Sequence, residues 1–341
     1  MKLSEFDYTL PKELIAQYPS ERRGDDRLLV IDRAGNNFME KKFPDITGYP
    51  GKGDLLILND TRVMQARLFG KRKTGGRIEI FVVDKTKNPT EALVRPSGRI
   101  REGEKVLLDS GDSARILGKA GIGRLVEFDK PTDEILDKCG HVPLPPYIAR
   151  ADEPSDADRY QTVYASKEGA TASPTAGLHF TMEVIEDLKK NGVKVGYITL
   201  HVSYGTFAPV KEENVEDHKM HAEFYNIPPE TASMIEHALG KGAKIYACGT
   251  TSLRTLEACA DRLKEPGNAA CGMSGFTDIF IYPGYDFKIT DALITNFHLP
   301  KSTLFLLTSA FAGRDLLGRA YRYAVDSRFR FFSYGDVMLI L

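Results

Sequence analysis

The stretch Ala243-Lys244-Ile245-Tyr246-Ala247-Cys248-Gly249-Thr250-Thr251-Ser252 changes from a strand pattern to a helix start without an intervening loop. The apolar run at 243–247 predicts a strand that is buried on both faces, and the pattern over 253–263 predicts the helix that follows. A buried strand that passes through a short polar turn into a helix is the repeating unit of α/β folds. The stretch therefore predicts a sheet covered by helices.

The same alternation of strands and helices extends to both sides of this stretch. We predict strands at 27–32, 54–58, 193–202, 278–282, 292–295 and 337–341, and helices at 181–190, 229–239 and twice within 302–325. Several of the strands are continuous apolar runs, as expected for a sheet with both faces covered. The expected fold class is therefore α/β, with a Rossmann-like main domain.

Between residues 66 and 146 the pattern changes to short alternating segments separated by turn residues. Strands are predicted at 66–70, 77–83, 91–94, 105–108, 114–117 and 124–128, with hairpin turns at Gly75-Gly76, Gly111-Asp112 and Gly121-Ile122-Gly123. Short strands at this spacing favour a small barrel, because closure removes unpaired edges. We therefore predict a β-barrel domain, residues 66–146, inserted into an α/β domain made of residues 1–65 and 147–341.

The composition narrows the class of protein. Hydrophobic residues make up 42% and charged residues 27% of the 341 positions, as in ordinary globular domains. No apolar run is long enough for a signal peptide or a membrane span, so no membrane partner is expected. Four widely spaced cysteines suit a reducing compartment. We expect a cytoplasmic protein that acts as a monomer.

A formal net charge of -1 hides a basic segment at 61–105. That segment contains twelve Lys or Arg residues against five Asp or Glu residues. A local excess of this kind suits a phosphate-bearing partner. The alternative, a solvated surface balanced by acids from elsewhere in the chain, stays open.

Three polar turns precede predicted helices, at 171–180, 249–252 and 295–303. Each combines hydroxyl side chains with unpaired backbone N–H groups at a helix start, where an anionic ligand group can bind. Any one of them could be an ordinary capped turn. Three together favour a ligand site. Asn59-Asp60-Thr61-Arg62 also follows a buried strand directly, which is where α/β sheets place ligand contacts.

Histidines in the middle of the chain raise the question of a metal site. His201, His218 and His221 lie near Asp217 and Glu223 in the sequence. A catalytic zinc site needs three placed ligands, and this set contains no HExxH motif. We therefore predict no metal site, and interpret the histidines as surface or core residues.

Six motifs taken together resemble the S-adenosylmethionine:tRNA ribosyltransferase-isomerase family of the queuosine pathway. They lie at 59–63, 174–180, 249–252, 277–284, 295–302 and 330–336. The resemblance extends over nearly the whole chain and implies an α/β domain with an inserted β-barrel. Two departures are Ser203, where such proteins have glycine, and Phe276, where tryptophan is usual.

The resemblance also implies the reaction. The ribosyl group of S-adenosylmethionine would be transferred to 7-aminomethyl-7-deazaguanine at the tRNA wobble position and rearranged to give epoxyqueuosine, with loss of adenine and methionine. S-adenosylmethionine is a consumed substrate here, so no added cofactor or metal is implied. Three other functions stay open: an S-adenosylmethionine-dependent RNA methyltransferase, a non-catalytic RNA-binding adaptor, and a metallohydrolase built on the three histidines.

Candidate site residues follow from the resemblance and from the chemistry. A base must reach a 5′ proton of the ribose and have a pKa near neutrality, so His179 and His298 are the first candidates, with Asp60 third; which of them acts stays open. The expected contacts to S-adenosylmethionine are Ser173, Thr175, Gly249, Thr250, Thr251, Ser252, Arg254 and Asn296. The expected contacts to tRNA are Arg62, Lys71, Arg72, Lys73, Arg77 and Lys301.

Overall fold

A computed structural model describes residues 1–121, 123–202, 210, 212–265 and 267–341. Contacts divide the chain into two compact units. The larger unit comprises Met1–Arg62, Pro146–Arg150 and Gln161–Leu341, and the smaller unit comprises Val63–Pro145 and Ala151–Tyr160. The smaller unit thus includes a short second segment. The predicted limits at residues 66 and 146 concern folding domains, which differ from these compact units, and they stay a prediction.

The larger unit is built on one mixed sheet. Its strands are β1 Arg27–Asp32, β2 Asn37–Lys42, β3 Leu55–Asn59, β12 Lys194–Leu200, β13 Glu223–Ile227, β14 Ile245–Cys248, β15 Met273–Thr277, β16 Ala292–Asn296 and β17 Val337–Ile340. Their order is β15-β13-β12-β3-β14-β16-β17-β1-β2. The central strands β12, β3, β14 and β16 run parallel to one another. Their carboxyl ends therefore meet at one edge of the sheet, where α/β proteins bind ligands.

Helices cover both faces of this sheet. They are α3 Met182–Lys190, α4 Pro229–Lys241, α5 Gly249–Lys264, α6 Thr303–Ala312 and α7 Arg314–Asp326. Successive strand residues point to opposite faces. Accordingly, Leu55 and Ile57 of β3 pack with residues of α4 to α7, whereas Leu56 and Leu58 pack with α3. The continuous apolar runs of the sequence are explained by this burial on two sides.

The smaller unit contains a closed barrel. Its strands are β5 Arg67–Arg72, β6 Arg77–Val82, β7 Thr90–Arg95, β8 Lys105–Leu108, β9 Ser113–Ala120 and β10 Gly123–Phe128, and the helices α1 Thr132–Cys139 and α2 Asp156–Arg159 follow. The barrel order is β10-β7-β6-β5-β8-β9. Ile122, in one predicted hairpin turn, lies outside the described residues. The predicted fold class, α/β with a small β-barrel, is confirmed.

The strand predicted at 278–282 is wrong. The strand lies earlier, at Met273–Thr277, where it pairs with β13. It ends at Thr277. The N–H of Ile279 donates to the Thr277 hydroxyl over 3.2 Å, and this local hydrogen bond takes the place of one to a neighbouring strand. Ile279 and Ile281 then pack against the core without strand pairing. Their alternating pattern therefore reflects burial in an irregular segment.

Candidate active site

A cavity of about 460 Å³ lies at the carboxyl ends of β14 and β16. Its volume is within the range typical of small-molecule sites. The residues predicted for the site that line it are Ser173, Thr175, Gly249, Thr250, Thr251, Asn296, His298 and Lys301. The three polar turns of the sequence therefore meet at one cavity. Asp60, His179, Ser252 and Arg254 were predicted for the same site and do not line it.

The start of α5 forms one wall of the cavity. Gly249 has a φ of +87°, a left-handed conformation that favours glycine over residues with a side chain. The two hydroxyls after it, Thr250 and Thr251, line the cavity. The next hydroxyl does not, because Ser252 Oγ donates to the carbonyl of Cys248 over 2.7 Å inside the helix. The proton of the Ser252 hydroxyl is thus used inside the helix, and this geometry does not support the predicted contact of Ser252 with a ligand.

A second wall contains an unpartnered hydroxyl. Ser173 is 3% exposed, and its Oγ has no hydrogen-bond partner among the described residues. A buried hydroxyl without a hydrogen-bond partner is unfavourable. Because Ser173 lines the cavity, a polar ligand atom would satisfy this hydroxyl.

A chain of buried hydrogen bonds leads from the core to the cavity. His179 Nδ1 lies 2.7 Å from Asp26 Oδ2, and Asn296 Nδ2 lies 3.0 Å from His179 Nε2. At the cavity end, Thr175 Oγ1 donates to Asn296 Oδ1 over 2.9 Å. Asp26, His179 and Asn296 are all buried. Three segments that are remote in the sequence are thus joined behind the cavity wall.

The direction of these hydrogen bonds follows from one amide. Asn296 Nδ2 also lies 3.1 Å from the carbonyl of Phe332, which can only accept, so this end of the amide must be the NH₂ group. The same NH₂ group donates to His179 Nε2 over 3.0 Å and makes a longer contact of 3.5 Å with the carbonyl of Asp336, so the His179 proton lies on Nδ1, facing Asp26. Thr175 gives its own proton to Asn296, so its hydroxyl presents acceptor lone pairs to the cavity.

Asp26 is the member of this hydrogen-bond network that the sequence did not indicate. Burial raises its pKa, but the interactions with His179, the hydrogen bond from Ser20 and the charge of Arg330 together outweigh burial, so the pKa of Asp26 lies below its usual value. The carboxylate therefore stays ionised and fixes the orientation of the imidazole. His179, with both ring nitrogens engaged, supports Asn296 from behind the cavity wall. Its predicted direct contact with a ligand is not supported by this geometry.

His298 differs from His179 because it borders the cavity. Its Nε2 lies 2.8 Å from Thr295 Oγ1, and its backbone N–H donates to the hydroxyl of Tyr321 over 3.0 Å. The hydroxyl of Tyr8 donates to its carbonyl. Among the described residues, Nδ1 of the ring has no hydrogen-bond partner. Burial lowers the pKa of His298 to about 3, so the ring is neutral at physiological pH.

The low pKa of His298 predicts a pH dependence of stability. The unfolded chain binds a proton at this residue below about pH 6.5, whereas the folded chain does so only below about pH 3. Stability therefore falls as the pH drops between these values, by about 2 kcal/mol between pH 7 and pH 5. We expect His298→Gln to remove this loss, measured as a flatter change of urea unfolding free energy over that range. Equal pH dependence in both proteins would contradict the assignment.

Arg254 occupies a different place from the one predicted. Its Nη1 forms an ion pair with Glu223, and its Nε donates to the carbonyl of Ile279 over 3.2 Å. Arg254 and Glu223 are 3% and 2% exposed. The guanidinium that was expected to bind a ligand carboxylate therefore already binds a carboxylate of the chain itself. Its predicted contact with S-adenosylmethionine is not supported by this geometry.

Asp60 lies in a second polar cluster at the ends of β3 and β12. Its Oδ1 accepts from the Thr199 hydroxyl over 2.6 Å. Burial raises the pKa of Asp60, against the hydrogen bond from Thr199 and the charge of Lys167. His201 Nδ1 lies 2.8 Å from Thr61 Oγ1, and burial lowers the pKa of its ring. This cluster is joined to the cavity by Asn59, which donates to Thr251 Oγ1 over 3.3 Å.

The histidines considered for a metal are engaged with other groups or dispersed. His218 Nδ1 lies 2.9 Å from Glu212 Oε2, and Glu223 is paired with Arg254. In the part of the chain that the structure describes, no group of three or more His, Cys, Asp or Glu residues is arranged to hold a metal ion.

The basic residues predicted to contact tRNA differ in their exposure and in whether a carboxylate already pairs with their charge. Arg72 is paired with both carboxylate oxygens of Glu104, at 2.6 and 2.9 Å. Lys71 and Lys73 are exposed, and the Arg77 side chain is 81% exposed. In the larger unit, Arg62 is also exposed and Lys301 Nζ pairs with Asp7. Arg72 and Lys301 are therefore the members of the set with a close carboxylate partner, and Arg77 Nη2 lies 4.0 Å from Asp109 Oδ2.

The fold and the cavity define an α/β protein with a small-molecule site at the carboxyl edge of its sheet and a closed β-barrel in a second unit. Residues 3–340 match the model of the family described as queuosine biosynthesis protein. The chain belongs to this family.

Three known proteins with sequences similar to this chain share one name. The chain is 49% identical, over 100% of both chains, to the S-adenosylmethionine:tRNA ribosyltransferase-isomerases of Sulfurihydrogenibium sp., Acetivibrio thermocellus and Thermotoga maritima. A crystal structure of S-adenosylmethionine tRNA ribosyltransferase from Thermotoga maritima superposes with a TM-score of 0.57 and 38% identity, covering 99% of this chain and 100% of that one.

None of the described helices has the length and apolar character needed to cross a membrane.

Proposed function

We propose that this chain is an enzyme that transfers the ribosyl group of S-adenosylmethionine to 7-aminomethyl-7-deazaguanine at the tRNA wobble position. The ribosyl group is rearranged to an epoxycyclopentane, giving epoxyqueuosine with release of adenine and methionine. The observation that carries the proposal is the meeting of three polar turns at one cavity large enough for a small-molecule substrate. The 49% sequence identity, over the full length, to a relative with this name supports the same reaction.

The cavity supplies the groups that the substrate needs. The hydroxyls of Ser173, Thr250 and Thr251 and the N–H groups at the start of α5 suit the methionine carboxylate. Thr175 offers lone pairs to a donor such as a ribose hydroxyl or the methionine ammonium. No added cofactor is required, because the sulfonium acidifies the adjacent 5′ carbon and makes methionine a leaving group. We further propose that the chain works as a monomer in the cytoplasm.

His298 is the residue that we assign to the reacting ribose. Thr295 holds one nitrogen of its ring and leaves Nδ1 for the substrate. Nδ1 can accept the 5′ proton when Nε2 carries the proton of the neutral ring and donates it to Thr295 Oγ1. The pKa of about 3 lies below the near-neutral value expected of a base, so the imidazolium that forms must be stabilised by the bound substrate. His179 acts indirectly. It holds Asn296 in place by a hydrogen bond, and Asn296 in turn holds Thr175.

The direct test is product analysis. We expect the purified chain, given S-adenosylmethionine and tRNA that carries the aminomethyl base, to release adenine and methionine in equal amounts and to leave epoxyqueuosine in the RNA. Formation of S-adenosylhomocysteine would instead identify a methyltransferase. RNA binding without any of these products would identify an adaptor, and loss of activity in chelator would favour a metalloenzyme.

The role of Thr175 is tested by a nearly isosteric change. Thr175→Val removes the hydroxyl, so we expect affinity for S-adenosylmethionine to fall by about 10-fold, the usual effect of one lost hydrogen bond. Thr175→Ser keeps the hydroxyl and is the matched control. Equilibrium dialysis with labelled S-adenosylmethionine measures both. Equal affinity in the Val variant would remove Thr175 from the site.

Contact of the barrel with tRNA is tested by salt dependence. Each phosphate contact that is lost reduces the slope of log affinity against log salt by about 0.7 to 0.9. We therefore expect the double variant Lys71→Ala, Lys73→Ala to reduce the slope by about 1.5. Arg72→Ala is the control, because Glu104 already compensates its charge, and its slope is expected to stay unchanged. An unchanged slope in the double variant would place the RNA elsewhere.

A further inference from the structure

Three aromatic rings lie side by side across neighbouring strands of the sheet. Phe224 of β13 is directly opposite Phe276 of β15, and the N–H of His201 donates to the carbonyl of Phe224 over 3.0 Å. The His201 and Phe224 rings are stacked, with centroids 5.7 Å apart and planes 25° apart. Phe224 and Phe276 meet edge to face at 5.7 Å. These rings form a continuous row, which we call the aromatic row.

The row has one closed end and one open end. At His201 it is closed by Gly169, where an added Cβ would come within 2.7 Å of the ring. At the other end, Phe276 lies on an edge strand and is 73% exposed. Alternate residues of the same strands, Tyr225 and Met273, are buried in the core on the opposite face. Phe276 is thus exposed because its face of the strand is open.

The row and the cavity are adjacent along the chain but lie on opposite faces of the strands. Val202, which directly follows His201, lines the cavity and packs in the core with Tyr225 and Met273, on the face opposite to the row. Phe276 lies two strand spacings from His201, a distance of about 10 Å. His201 and Val202 follow the carboxyl end of β12, where the two faces meet at the edge of the sheet. An RNA loop whose reacting base enters the cavity at this edge can therefore place a neighbouring base on the row.

We infer that Phe276 is a stacking platform for an unpaired base next to the modified base of the tRNA anticodon loop. Single-stranded RNA is bound in this way by aromatic side chains on open sheets, because every base has a face that can stack. The exposed acid Asp278, close to Phe276 in sequence, argues for contact with a base and against contact with a phosphate at this end. The inference rests on the proposed function, since that function supplies the RNA loop.

Substitution of Phe276 tests the inference through RNA affinity. We expect Phe276→Ala to weaken binding of an anticodon stem-loop by about 5- to 100-fold, whereas Phe276→Tyr retains affinity because its ring can stack. Phe276→Leu, which keeps an apolar surface without a ring, is expected to resemble the Ala variant. Met39→Ala is the matched control, because Met39 is an exposed apolar residue on β2, at the opposite edge of the sheet.

A spectroscopic readout separates stacking from indirect effects. The chain contains no tryptophan, so Phe276→Trp introduces a single indole. Its fluorescence is expected to be quenched by the stem-loop and to be unaffected by S-adenosylmethionine alone. A stem-loop with abasic sites on both sides of the modified base is expected to bind the wild type more weakly and the Ala variant with no further loss.

The outcomes distinguish this inference from the proposed function. A wild type that releases no adenine and methionine would refute the function. A wild type that is active, with unchanged RNA affinity in Phe276→Ala and no quenching in Phe276→Trp, would refute the inference alone. In that case, a smaller sedimentation coefficient of the Ala variant would assign Phe276 to an interface between two copies of the chain.

Discussion

Replacing His298 by alanine is expected to lower the rate of adenine release from S-adenosylmethionine by about 100-fold or more, because a positioned base contributes at least that factor. The backbone contacts with Tyr8 and Tyr321 do not involve the ring, so the cavity wall is expected to persist. Single-turnover measurement of adenine, with saturating tRNA, gives the rate. Dialysis with S-adenosylmethionine and a tRNA binding assay then show whether the substrates still bind.

Two comparisons sharpen this prediction. His237→Ala, at an exposed position on α4, is the matched histidine control and is expected to keep wild-type turnover. His179→Ala is expected to lose turnover together with thermal stability, because it leaves Asp26 and Asn296 without their partner in the core. Wild-type turnover in the His298 variant would contradict its assignment to the reacting ribose, and wild-type turnover in both variants would contradict the location of the site.

Replacing Arg254 by alanine is expected to lower the free energy of unfolding by about 3 to 5 kcal/mol, since it removes one partner of a buried ion pair with Glu223. Urea unfolding measures the loss. At low temperature, where the variant is still folded, affinity for S-adenosylmethionine is expected to stay within about twofold of wild type, because Arg254 does not line the cavity.

Matched variants separate a structural role of Arg254 from a binding role. The double variant Arg254→Met, Glu223→Gln removes both charges and is expected to recover much of the stability. Thr251→Ala is expected to show the reverse pattern, with weaker binding of S-adenosylmethionine and little loss of stability, because Thr251 lines the cavity. An Arg254→Ala protein with wild-type stability and lost affinity would restore the originally predicted contact with the methionine carboxylate.

The strands and the barrel were predictable because their signals are local. Period-2 alternation and turn residues locate β5 to β10, and the polar turns at the ends of β14 and β16 indicate the cavity. Each of these signals lies within about ten residues and depends on burial of one segment. The sequence could therefore indicate which segments border a site.

The partners of individual side chains were not predictable in the same way. His179 and Asp26 are 153 residues apart, and nothing near Asp26 marks it as the partner of a histidine. Arg254 was assigned to a ligand because its segment borders the cavity, but a helix turns successive side chains in different directions. Its side chain points away from the cavity to Glu223. Contacts between remote segments depend on the assembled fold, which local patterns do not contain.

The order of strands in the mixed sheet has a consequence for synthesis of the chain. β1 pairs with β17, close to the carboxyl terminus, and β3 lies between β12 and β14. The first strands to leave the ribosome must therefore wait for the last ones, and contacts so distant in sequence form slowly. The barrel strands, in contrast, pair with near neighbours along the chain. We expect the barrel to fold while later parts of the chain are still being translated, and the sheet to close only after β17 has been synthesised.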